Sequence, residues 1–103
     1  MRHKRFGIDG LVVDGRELPL RYCDLLVALN DASADVDWEC LASTHDEIRL
    51  EQCTYPLVLR SAGRSFDGNA ILVRSDGVAH VFRGAGPLAG VTEAEIERGA
   101  ARD

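Results

Sequence analysis

The chain has 103 residues, of which 46% are hydrophobic and 28% charged, and this is the composition of a single globular domain. Its formal charge of −5 at pH 7 disfavours nucleic-acid binding, because an acidic surface repels phosphate backbones. The longest apolar run, residues 25–29, is far shorter than the roughly 20 residues of a membrane-spanning helix. We therefore expect one domain over residues 1–103, with neither a nucleic-acid nor a membrane partner.

The first residues are basic. Residues 1–5 read MRHKR, but Gly7, Asp9 and Gly10 interrupt the apolar stretch that a signal peptide would need next. We therefore expect a cytoplasmic protein in which residues 1–5 form a solvated basic arm. There are three cysteines, and an odd number cannot close into a full set of internal disulfides, so free thiols are expected.

Two Asp-Gly pairs between β-prone runs predict hairpins within a β core that extends over residues 6–83. The pairs are Asp14-Gly15 and Asp76-Gly77. Both central residues of a type I′ turn need a positive φ, which Asp and Gly tolerate best. The sequence therefore predicts a two-residue turn at each pair.

The second of these turns also predicts a strand register. If Ser75 pairs with Val78, the residues on either side of the turn follow by counting. Val73 would then lie opposite His80, and Ile71 would lie opposite Phe82.

Apolar and polar residues alternate in the middle of the chain, as they do in half-buried strands. Residues 20–29 place one apolar set on a single face, and a helix over residues 22–31 is the competing interpretation, because Leu25, Leu26 and Leu29 also fit helical spacing. Further strands are predicted at residues 36–42, 47–52 and 55–61. About seven short strands indicate a mainly β fold, either a small antiparallel sandwich or a partly open barrel.

The last part of the sequence predicts a connector and one short C-terminal helix. Residues 84–91 are rich in glycine, but their spacing differs from that of a phosphate-binding loop and Pro87 removes an amide donor. Thr92 and Glu95 form a capping box that begins a helix over residues 92–101. Because so short a helix is marginal alone, Ile96 should dock on the sheet, on a second copy or on another protein.

The sequence contains no group of side chains with the spacing of a metal or cofactor site. Zinc sites bring cysteines in close pairs, whereas Cys23, Cys40 and Cys53 are far apart in the sequence. Residues 30–37 lack the glycine and the closing glutamate of a calcium loop. We therefore expect neither a metal nor a cofactor.

Several segments together resemble a small actinobacterial all-β domain of unknown function. They are VVDGRELPL at 12–20, Trp38, YPLVLRS at 55–61 and VFRGAGPL at 81–88, so the resemblance covers about residues 6–90. Domains of that family occur alone or appended to flavin-dependent monooxygenase-like proteins. The resemblance implies a β accessory module without catalytic residues of its own.

These observations favour a non-catalytic β domain that acts by binding a protein or a second copy of itself, alone or as an accessory to a larger enzyme. No convergent catalytic set is present, which favours a protein that is not an enzyme. The capped helix needs something to pack against, so the expected interaction surface consists of Val91, Ile96 and Phe82.

Two other hypotheses remain open. In the first, the chain is a small-molecule-binding β-barrel whose cavity is lined by Trp38, Tyr22, Arg74 and His80. In the second, it is an enzyme that pairs the thiol of Cys53 with the imidazole of His80, since a reactive thiolate needs such a neighbour.

Overall fold

The computed structural model describes residues 2–29 and 36–96, and these form one mainly β domain. Residues 93–96 begin a short helix. The strands of the described residues are β1 (Arg2–Gly7), β2 (Gly10–Val13), β3 (Arg16–Glu17), β4 (Leu20–Leu29), β5 (Val36–Thr44), β6 (Thr54–Ser61), β7 (Arg64–Ser75) and β8 (Ala79–Gly84). They form a single antiparallel sheet in the order β1-β4-β5-β8-β7-β6-β2-β3. The prediction of an antiparallel β fold with a short C-terminal helix is therefore confirmed.

The sheet curls because β1 and β2 are almost continuous in the chain although they lie towards opposite ends of the strand order. Only Ile8 and Asp9 separate them. The Ile8 amide donates to the Cys23 carbonyl over 2.8 Å, which extends the pairing of β1 with β4. The Asp9 amide donates to the Arg60 carbonyl over 2.9 Å, where the pairing of β2 with β6 begins. One extended segment therefore joins both sides of the sheet, as in a partly open barrel.

The core lies on the concave face, to which every second residue of the long strands points. In β4 and β5 the alternation matches the sequence prediction, so the helical interpretation of residues 22–31 is wrong for the described part, residues 22–29. Apart from His80 and Cys40, the largest side chains that are almost completely buried are hydrocarbon side chains from five of the strands and the terminal helix. They include Leu11, Leu25, Val27, Leu57, Leu59, Phe66, Leu72, Phe82 and Ile96.

Two hairpin turns have positive φ at both central residues, the property of type I′ turns. Asp14 (φ 49°) and Gly15 (φ 81°) join β2 to β3, as predicted. Ala62 (φ 48°) and Gly63 (φ 84°) join β6 to β7. This second turn was not predicted, because alanine does not favour a positive φ.

The hairpin between β7 and β8 differs from its prediction. Only Gly77 has a positive φ, the Asp76 amide donates to the Ala79 carbonyl over 3.0 Å, and the register shifts at a bulge between Leu72 and Arg74. The predicted register is wrong by one residue at Leu72, which pairs with Phe82, and by two residues beyond the bulge at Ser75, which pairs with His80. The reason is that Phe66, Ala70 and Leu72 already point towards the core where β7 pairs with β6. Leu72, rather than the outward-facing Ile71, therefore lies opposite the buried Phe82.

Three further expectations need correction or lie partly outside the described residues. Residues 2–5 do not form a solvated arm but belong to β1, which pairs with β4. Residues 47–52 form an irregular loop rather than a strand, and the Ile48 amide donates to the Gly77 carbonyl over 2.9 Å. The predicted helix reaches residue 101, but its part beyond residue 96 lies outside the described residues, as do residues 30–35 of the predicted loop.

Candidate interaction surface

Trp38 binds the glycine-rich connector, residues 84–91, to the curled sheet. Its side chain lies on the concave side of β5 and is 4% exposed, and its Nε1 donates a hydrogen bond to the Gly86 carbonyl over 3.0 Å. The indole packs directly over Gly84 and Gly68, and a Cβ atom added at Gly68 would lie 2.9 Å from Cζ2 of the ring. The indole N–H is therefore already used inside the chain, and two glycines make room for the ring.

His80 lies on the same concave face but further along the barrel. It is 1% exposed and opposite Ala42, which is four residues from Trp38 on β5, a distance of about 13 Å along a strand. Its Nδ1 lies 2.8 Å from the Ser75 hydroxyl, and Nε2 has no hydrogen-bond partner among the described residues. Burial lowers the pKa of His80, although the nearby carboxylate of Asp76 partly opposes this.

Tyr22 and Arg74 lie on the convex side, away from Trp38 and His80. Tyr22 is 60% exposed, and the Arg74 guanidinium is 3.8 Å from the Asp76 carboxylate. The structure therefore does not bring the four residues of the predicted small-molecule site together. Core side chains fill the concave face where that ligand would have been held.

Among the described residues, no hydrogen bond joins the Cys53 thiol to the His80 imidazole. Cys53 is exposed, whereas His80 is buried and contacts Ser75 through its one hydrogen-bonded nitrogen. The two buried cysteines contact each other, with 3.5 Å between the Cys23 and Cys40 sulfur atoms. This hydrogen bond and burial raise the pKa of the Cys40 thiol, so Cys40 stays protonated.

The terminal helix docks on this chain's own sheet. Ile96 and Phe82 are both completely buried, and Val91 is half-buried, so the first two do not form part of a surface. Docking on the sheet was one of the three possibilities for Ile96. Correcting the expected interaction surface removes Ile96 and Phe82 from it.

Arg64 and Glu95 hold the helix in place. The Arg64 guanidinium donates two hydrogen bonds to the Glu95 carboxylate, of 2.5 and 2.9 Å, and its Cζ lies 4.7 Å from the centre of the Phe66 ring. The capping box forms as predicted, because the Thr92 amide donates to Glu95 Oε1 over 3.1 Å and the Glu95 amide donates to Thr92 Oγ1 over 3.3 Å. The Arg64 hydrogen bonds, followed by the Thr92 contacts, lower the pKa of Glu95 to about 2.

The surface that the sequence did not predict lies on the convex side of β4, β5, β8 and β7. Apolar side chains point outwards there, and Ile71 and Val73 are each 42% exposed. Leu41 lies directly opposite Val81, and both are half-buried. We call the group made of Leu26, Leu41, Ile71, Val73 and Val81 the outer patch. The signal was present in the unbroken runs Leu25-Leu26-Val27 and Ile71-Leu72-Val73, because a continuous apolar run makes both faces of a strand apolar.

Charged side chains of both signs lie within and around the outer patch. Arg83 lies opposite both Ile71 on β7 and Glu39 on β5. Within residues 2–29 and 36–96, neither Arg83 nor Glu39 forms an ion pair. Asp24, at the rim, accepts a 2.6 Å hydrogen bond from Arg5. At one end of the patch, Asp37, Trp38, Arg83 and Gly84 line a depression of about 320 Å³.

Comparisons with known proteins give no relative for this chain. No family model matches it, and neither a curated protein nor a solved structure shows significant similarity to it. The resemblance to an actinobacterial all-β domain therefore stays a prediction. Among the described residues, no helix is long and apolar enough to span a membrane, and no three His, Cys, Asp or Glu side chains form a group that could hold a metal ion.

Proposed function

We propose that this chain is a non-catalytic β domain that acts by protein binding, and that its partner is a second copy of itself. The binding site is the outer patch. As part of the same proposal, the protein works in the cytoplasm, alone or as an accessory to a larger enzyme.

The exposed apolar side chains of the outer patch support this proposal most directly. A sheet face that is exposed to water normally carries polar side chains, whereas apolar groups clustered within a charged rim are typical of protein interfaces. Here Leu41 and Val81 form the centre, and Ile71 and Val73 extend it with almost half of each side chain exposed.

The charges of the patch favour a second copy as the partner. A matching surface must present apolar groups together with one acidic and one basic side chain, because Arg83 and Glu39 both need a partner when water is removed. The outer patch together with Arg83 and Glu39 has this composition. Most homo-oligomers are two-fold dimers in which the same patch is used by both subunits.

Sedimentation velocity of the full chain at increasing concentration tests this proposal. We expect the wild-type chain to change from monomer to dimer, and Leu41→Asp to weaken dimerisation at least about tenfold, because it buries a carboxylate in the apolar centre. Val58→Asp is the matched control, since Val58 is 38% exposed on β6, outside the patch.

The control should dimerise like the wild-type chain, and circular dichroism should show that both variants are folded. A wild-type chain that stays monomeric at about 100 µM, a concentration at which weak dimers with a Kd near 10 µM are mostly formed, would contradict the proposal. Equal dimerisation of Leu41→Asp and the wild-type chain would show that the outer patch is not the interface.

A further inference from the structure

The residues of the outer patch and the charged residues beside them are arranged about the boundary between β5 and β8. Each position on one side of this boundary has a chemically complementary position on the other side. One row of laterally paired residues runs Ile71, Arg83, Glu39, Leu26 from β7 to β4. The two ends of the row, Ile71 and Leu26, are both apolar. The two central residues are a basic one, Arg83, and an acidic one, Glu39.

The neighbouring row has the same property. It runs Arg74, Val81, Leu41, Asp24, again from β7 through β8 and β5 to β4. Its ends are basic and acidic, and its two central residues are both apolar. The two rows are therefore self-complementary about the same line, which runs parallel to the strands between β5 and β8.

We infer that two copies of the chain pack their outer patches face to face about a two-fold axis along this line, an inference that rests on the proposed function. A two-fold axis in the plane of the interface places each residue on one side of the line against its mirror position in the partner. Arg83 then faces the partner's Glu39, Val81 faces the partner's Leu41, and Ile71 faces the partner's Leu26. At the rim, Arg74 faces the partner's Asp24.

This arrangement satisfies the two charges that the single chain leaves without an ion pair among its described residues. Arg83 and Glu39 lie side by side on adjacent strands, so each can contact its counterpart across the interface without breaking an internal ion pair. The two-fold axis makes this contact twice. The axis also keeps the strands of the two sheets nearly aligned, which is one of the common modes of sheet packing.

Charge reversal gives a test that distinguishes this arrangement from other modes of self-association. In a dimer of Arg83→Glu, the acidic group introduced at position 83 faces the partner's Glu39. In a dimer of Glu39→Arg, the basic group introduced at position 39 faces the partner's Arg83. We expect each variant alone to dimerise at least about tenfold more weakly than the wild-type chain, because like charges then face each other at two symmetry-related places.

An equimolar mixture of the two variants should form a heterodimer with an affinity close to that of the wild-type homodimer. In the mixture each acidic pair faces a basic pair, so both contacts are restored. The double variant R83E/E39R should form a homodimer for the same reason. Arg16→Glu, on the exposed strand β3, is the control, because it changes the net charge by the same amount outside the patch.

Native mass spectrometry and sedimentation velocity give the readout, with thermal melting to verify folding. If either single variant fails to fold, the double variant, which keeps opposite charges on adjacent strands, still tests the contact. Single variants that dimerise like the wild-type chain, or a mixture and a double variant that stay monomeric, would overturn the two-fold arrangement. If dimerisation nevertheless depends on Leu41, the proposed function stands. A monomeric wild-type chain would instead remove the proposed function.

Discussion

His80 is buried on the concave side of β8 with one ring nitrogen held by Ser75 and the other without a partner among the described residues. Protonation would place a charge in this apolar site, so burial lowers the pKa of His80 below its ordinary value of 6.5. In the unfolded chain the imidazole takes up a proton below about pH 6.5, whereas the folded chain does not until a lower pH. The contribution of His80 to stability is therefore complete above about pH 6.5, and it is lost progressively as the pH falls below 6.5.

We expect His80→Asn to remove this part of the pH dependence. The asparagine amide can replace the contact with Ser75 and does not titrate, although its smaller size lowers the stability at all pH values. Urea denaturation at pH 7.5 and 5.5 measures both effects. If the variant and the wild-type chain lose the same free energy of unfolding between these pH values, the assignment to His80 is wrong.

Ala62 occupies a left-handed conformation that residues other than Gly, Asn and Asp adopt at a cost of about 1–2 kcal/mol. We expect Ala62→Asn to stabilise the chain by about 0.5–1 kcal/mol, because Asn-Gly is the preferred pair for a type I′ turn. The denaturation midpoint should rise while the dependence on denaturant stays the same.

The turn at Asp14-Gly15 supplies the reciprocal control. Asp14 has almost the same φ as Ala62, so Asp14→Ala should destabilise the chain by an amount similar to the gain at Ala62. An Ala62→Asn variant with an unchanged or lower midpoint would show that this turn is not strained.

At the scale of elements, the terminal helix depends on the contact between Arg64 and Glu95. Glu95 is 17% exposed and Arg64 40%, so solvent screens their attraction only partly. We expect Glu95→Gln to lower the free energy of unfolding at pH 7 by about 1 kcal/mol, because it weakens both the ion pair and the capping box. Thermal melting measures this change, and Glu93→Gln, two residues earlier in the chain and exposed, is the control.

The same contact has its own pH dependence. The pKa of Glu95 falls from an ordinary 4.5 to about 2 in the folded chain, so the ion pair stabilises the fold fully above about pH 4.5. This stabilisation should decrease between pH 4.5 and 2 in the wild-type chain, and Glu95→Gln should lack that decrease. Parallel curves for the two chains would contradict the role of Glu95.

Elements whose signals are local were predictable from the sequence. The alternation in β4 and β5, the Asp14-Gly15 turn and the Thr92–Glu95 capping box each depend on neighbouring residues alone. The register of β7 against β8 was not predictable, because it is decided by pairing of β7 with β6. The strand status of residues 2–5 depends in the same way on β4, a partner about twenty residues away.

At the scale of the whole molecule, the strand order was beyond the sequence, since alternation shows which face of a strand is buried but not which strand lies beside it. The same limit explains the candidate site. Trp38 and His80 were proposed for their chemistry, but the fold turns them inwards and Tyr22 and Arg74 outwards. The outer patch joins residues of four strands, and it becomes visible only when their registers are known.

Among the described strands, β1 and β3 stand at the two ends of the sheet order. The first carries Arg2, His3, Lys4 and Arg5 in succession, and the second consists only of Arg16 and Glu17. Unpaired strand borders are templates for fibril growth, and positive charge or very short length are the usual protections against it. Two molecules that approached border to border through β1 would bring eight basic positions together. Growth of the sheet from one molecule to the next is therefore disfavoured, and the proposed assembly through the convex face would end at two subunits.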